Sequence, residues 1–145
     1  DTLGFQLDGR DGGSGGEKGD ISWIYPVGNK MKMVAGCHYE EWRLGPLGVE
    51  CEPKINSSLK PTEAYYPIEL NYKLVKYKLN DKAQGGSEEW DIKSIGNKKG
   101  KVVILFNPQT QIYELPAGFE KISTNAEQLW KYFNKITDSK QKQVD

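Results

Sequence analysis

The two cysteines and the one histidine of the chain lie near one another, as Cys37, His38 and Cys51. Thiolates and imidazoles bind zinc, but a tetrahedral site takes four groups, usually supplied as Cys-x-x-Cys or His-x-x-x-His pairs, and neither spacing is present here. Cys37 and His38 are adjacent, and adjacent strand residues point to opposite faces, so they form no thiolate–imidazole pair and His38 is expected to face solvent. The pairs Glu40-Glu41 and Glu88-Glu89 suggest two-carboxylate glycoside hydrolysis. Adjacent carboxylates diverge on a strand, however, whereas that chemistry sets them roughly 5–9 Å apart across a cleft. Asp8, Asp11 and Asp20 flank the run Gly12-Gly13-Ser14-Gly15-Gly16-Glu17, which approaches one nonapeptide calcium repeat. One copy does not stack into the β-roll that such repeats build, and a glycine loop is the plainer reading. No catalytic residue, cofactor or metal ligand is therefore assigned.

A disulfide is the better use of the cysteines. Met31, Met33, Ala35, Cys37 and Tyr39 alternate along one run, and Leu47, Val49 and Cys51 along the next. A turn centred on Leu44, beside Gly45 and Pro46, sets Tyr39 opposite Val49 and Cys37 opposite Cys51, within the roughly 4.4–6.8 Å Cα separation of a disulfide. The alternative is a pair of buried, reduced thiols. The disulfide reading favours a secreted or periplasmic protein. Asn56-Ser57-Ser58 matches the glycosylation triplet, a pattern too common to choose a kingdom.

The elements that must hold this hairpin are mostly strands. At 145 residues the chain is one domain in length, spanning residues 1–136 with a polar tail over 137–145 expected to fray. Lys+Arg and Asp+Glu both number 20, which disfavours nucleic acid or an anionic membrane surface as a partner. No apolar run reaches the roughly 18 residues of a membrane helix, so no membrane insertion is expected. Leu3, Phe5 and Leu7 give a short edge strand. Residues 9–19 read as a flexible glycine-rich loop, with the composition of a linker that is either native or introduced by engineering.

Strand signals continue over 21–25, ending at Pro26 with a turn at 27–29, and over 66–79, where the apolar phase changes and a β-bulge or a crossing between two sheets is expected near Leu74. Residues 53–62 form a polar connection, 90–95 a strand, 101–106 a more fully buried strand, and 111–115 its partner beyond a turn at 107–110. Thr124 with Glu127 makes a capping box for one amphipathic helix whose apolar stripe is Ala126, Leu129, Trp130, Phe133 and Ile136. The fold class is thus α+β, mainly antiparallel β in a small barrel or sandwich, closed by one C-terminal helix.

Trp23, Cys37-His38-Tyr39-Glu40 and the run from Leu44 to Cys51 together resemble the central pattern of a group of small uncharacterised secreted or periplasmic bacterial proteins. In them a strand ending Cys-x-Tyr pairs with one close to Pro-x-x-Val-x-x-Cys. The resemblance covers about residues 20–55 and implies a compartment and a disulfide, with no activity attached. Four Trp and eight Tyr exceed what one small core needs, and Tyr, Trp and Arg are enriched at binding hot spots. Trp23, Trp90 and Trp130 are assigned to the core. Trp42 and Arg43, at the hairpin tip with Glu40, Glu41 and Leu44 around them, are expected to contact a protein partner. The function expected is a non-enzymatic protein-binding module, such as an inhibitor, immunity protein or accessory subunit; the alternative is a small carboxylate-dependent hydrolase.

Overall fold

The computed structural model describes residues 5–13, 16–40, 46–78 and 93–141. Seven strands lie in one antiparallel sheet in chain order: β1 (Phe5–Gly13), β2 (Gly16–Val27), β3 (Lys30–Glu40), β4 (Leu47–Ile55), β5 (Ile68–Lys78), β6 (Lys93–Asn107) and β7 (Ile112–Glu114). A single turn of 3-10 helix (Phe119–Lys121) leads to α1 (Ala126–Gln141). The class is α+β and mainly antiparallel β with one C-terminal helix, as the sequence predicts, but the sheet is an open meander rather than a barrel or sandwich. It curls enough for Lys32 on β3 to donate to Gln111 beside β7, at 3.4 Å.

The core lies where α1 covers the middle of the sheet. Ile68, Leu70, Tyr72 and Leu74 alternate inward on β5, Leu47, Val49 and Cys51 on β4, and Val102 and Ile104 on β6, all facing Phe119, Leu129 and Phe133. The approach is close because residue 100 is glycine: a Cβ there would overlap the Phe133 ring. Tyr72 lies between two aromatic neighbours, its ring centroid 6.0 Å from Phe119 and 5.5 Å from Phe133. Trp23 and Trp130 pack against the core from its margin, half-buried, rather than filling it, and Trp90 lies outside the described residues.

Several elements differ from their sequence reading. Residues 9–13 and 16–19 are paired strands, with Gly9 opposite Asp20 and Gly13 opposite Gly16, so most of the expected glycine loop is a hairpin. β2 runs through Pro26 to Val27, and the following turn is Gly28-Asn29, with Gly28 at φ 63°. The expected bulge near Leu74 on β5 is absent from that position: Lys76 pairs with Gly96 and Tyr77 with Ser94, which leaves Ile95 as an extra residue on β6. β6 continues unbroken from Lys93, joining the two strands read at 90–95 and 101–106. Its second half is buried on one face alone, because α1 covers one side of the sheet and leaves Val103 and Leu105 on the other.

Asn107 shapes the β6–β7 turn through its side-chain oxygen, which accepts from the Gln109 and Thr110 amides, and Gln111 takes φ 59° before β7 begins. The helix is capped by Asn125 instead of Thr124: Asn125 Oδ1 accepts from the Gln128 amide at 3.0 Å. Glu127 meanwhile pairs forward with Lys131. The helical backbone continues through 137–141, where the sequence reading has the tail already frayed.

Candidate functional site

The Cys37–Cys51 bridge is formed, with a Cα–Cα separation of 5.8 Å. Its register differs from the expectation by one residue, since Glu40 rather than Tyr39 is the Cα partner of Val49. That is the sole ladder pair between β3 and β4 among the described residues, whereas β4 and β5 share a continuous ladder from Leu47↔Lys76 to Ile55↔Ile68. The strands separate at this seam, and the disulfide joins them where backbone hydrogen bonding does not. Of the residues assigned to the binding tip, Glu40 is the last of β3; Glu41, Trp42, Arg43 and Leu44 lie outside the described residues.

A bulge one strand earlier decides what surrounds Glu40. The Gly28-Asn29 turn sets Val27 opposite Lys30 and Ile24 opposite Met33, but Trp23 pairs with Ala35, leaving Val34 as the extra residue. The period-2 alternation is broken there. Met31 and Met33 stay exposed, while Val34, Ala35 and Cys37 are all buried. The same shift brings His38 opposite Asp20.

His38 is therefore buried, at 9% exposure, and not the solvent-facing residue expected. Its Nδ1 lies 3.1 Å from Asp20 Oδ1 and donates to that carboxylate; Nε2 faces Glu40 Oε2 at 3.6 Å and has no hydrogen-bond partner among the described residues. Cys37, partnered with Ile21, lies on the other face, so thiol and imidazole diverge as the sequence predicts. Among the described residues no group of three or more His, Cys, Asp and Glu side chains is arranged to hold a metal ion.

Asp20, His38 and Glu40 line a groove of about 1270 Å³ between the β1–β2–β3 face and the start of α1. Leu7, Ile24 and Met33 give it an apolar side, and Trp130 with Lys131 forms the helical wall. Lys76 and Lys98 lie over the Trp130 ring, 5.9 and 5.6 Å from its centroid. Ser22 lines the same groove. No family model, curated protein or solved structure matches the chain.

On the opposite face, Tyr39 reaches across Gly19, where a side chain would collide with its ring, and its hydroxyl donates to Asp8 Oδ1 at 3.1 Å. The Arg10 guanidinium grips the same carboxylate and, with the Tyr39 hydroxyl, holds the Asp8 carboxyl below its ordinary range. The sequence sets Asp8 and Asp20 beside one glycine-rich stretch; the strand pairing puts them on opposite faces of β1–β2. The Asp20–His38 pairing was missed because it depends on the Val34 bulge, which the alternation Met31, Met33, Ala35, Cys37 conceals.

Proposed function

We propose that this chain is a non-enzymatic protein-binding module of an exported bacterial protein, of inhibitor, immunity or accessory-subunit type, holding its partner with the tip of the β3–β4 hairpin. The observation that carries this reading is the intramolecular bridge between Cys37 and Cys51, which ties the strands leading into and out of residues 41–45. A crosslink behind a loop removes conformational freedom before binding, so an anchor such as Trp42 loses less entropy on docking. Disulfides persist in oxidising compartments, which supports a periplasmic or secreted location. Among the described residues no helix is long and apolar enough to cross a membrane. The runner-up, a small carboxylate-dependent hydrolase, draws on Asp20 and Glu40 flanking His38 in the groove.

The test is a comparison of the wild-type chain with Trp42→Ala. In the binding reading the substitution leaves the melting temperature nearly unchanged and weakens a partner captured from the source organism by about 2 kcal/mol or more. A core role for Trp42 would instead cost roughly 3–5 kcal/mol of stability. That loss on melting would refute the tip as an interface before any partner is known. Activity on glycan or ester substrates that disappears in Asp20→Asn and Glu40→Gln, with Trp42→Ala fully active, would favour the hydrolase.

A further inference from the structure

β1 stands at the end of the strand order and pairs with β2 alone among the described residues. A sheet edge is a row of unpaired N–H and C=O groups, which proteins blunt with prolines, bulges or charges. β1 contains no proline, and its ladder with β2 runs from Phe5↔Ile24 to Gly13↔Gly16 without a register shift. Its charged residues are Asp8, Arg10 and Asp11, of which Asp8 and Arg10 stand on either side of Gly9. Arg10 Nη2 lies 2.8 Å from Asp8 Oδ2, and the two side chains are 63% and 35% exposed.

We propose that β1 is a homodimer interface, pairing antiparallel with β1 of a second copy about a two-fold axis at Gly9. In this register Asp8 of each copy stands opposite Arg10 of the other, twice over by symmetry, and Gln6 stands opposite Gly12. Each guanidinium then lies between its own Asp8 and that of the other copy. Axes at Asp8 or Arg10 would oppose like charges, so the charge pattern selects Gly9.

Backbone parity agrees. The Gly9 carbonyl oxygen lies against the Cβ position of Gly19 on β2, so the backbone groups of the odd-numbered β1 residues turn toward β2. The groups of Gln6, Asp8, Arg10 and Gly12 then point outward, and these four residues are the ones the two-fold register joins. The occupant is a second copy because the strand is complementary to itself. The inference stands on the β1 edge and does not rest on the protein-binding reading of the hairpin tip.

Sedimentation equilibrium on the full chain tests it, with far-UV circular dichroism as the check on folding. The wild type should show a concentration-dependent dimer. Asp8→Arg and Arg10→Asp should each weaken it about tenfold or more, since each turns two attractive cross-strand pairs into repulsive ones. The double variant Asp8→Arg/Arg10→Asp should restore it to within about threefold. Raising the salt to about 1 M should weaken the wild-type dimer, which provides a reading that needs no variant. A wild type that stays monomeric at its highest soluble concentration overturns the proposal. So does a dimer indifferent to salt, a folded single variant that dimerises like wild type, or a double variant that remains monomeric.

Discussion

Breaking the bridge between Cys37 and Cys51 should cost this protein a measurable and calculable part of its stability. The cysteines are 14 positions apart, a closed loop of about 15 residues, for which the chain-entropy relation gives about 3 kcal/mol at room temperature. The chain has 145 residues. Unfolding entropies near 2.1 cal/mol/K per residue make the total roughly 0.3 kcal/mol/K, so about 3 kcal/mol corresponds to a fall of about 10 °C in melting temperature. Reduction keeps every heavy atom of the two buried sulfurs and isolates the crosslink. Cys37→Ala/Cys51→Ala should fall about 1–2 kcal/mol further, because it also empties their volume in the core.

Intact mass with and without reductant first establishes the bond, and thermal melts of the oxidised, reduced and double-alanine forms then give the three stabilities. The double variant should be insensitive to reductant. Hydrogen exchange should report the loss locally, in amides near Glu40 and Val49, because a single ladder pair holds that seam once the crosslink is gone. Two free thiols in the air-exposed protein, or a reduced form less than about 1 kcal/mol weaker than the oxidised one, would refute the reasoning.

Gly100→Ala should destabilise by about 1–3 kcal/mol in urea melts, since its Cβ would enter the Phe133 ring, and Phe133→Leu in the same chain should recover part of that loss. Asn125→Ala should cost about 1 kcal/mol, while Thr124→Ala stays nearly neutral; the reverse order would restore the capping box. Glu69 accepts from Asn56 at 2.8 Å and Lys101 at 3.2 Å, which hold its carboxyl below its ordinary value of 4.5. A lowered folded value means stability that is present above the unfolded value and lost as pH falls through the folded one. Melts across that acid range should therefore steepen in wild type and flatten in Glu69→Gln, and equal acid slopes would count against the pairing.

The bridge, the turn at Gly28 and the buried stripe of α1 were legible in the sequence because each depends on neighbours in the chain. Two cysteines flank a turn, a glycine supplies φ 63°, and Ala126, Leu129 and Phe133 recur at helical spacing. Alternation likewise fixed strand character, since apolar residues every second position need only one covered face. Which face is covered, and where alternation breaks, are properties of the assembled sheet. The Val34 bulge left Met31 and Met33 exposed, buried His38 and set it between Asp20 and Glu40, although the residue types along β3 read as one unbroken strand. Val103 and Leu105 have the composition of buried positions, yet they face outward because a single helix covers a single side. Asn125 and Thr124 are both competent caps, and the choice between them followed from where the chain leaves the 3-10 turn at Phe119 and meets the core. Sequence determined the pieces and their apolar faces; the packing of α1 on a bulged, open sheet determined which side chains met.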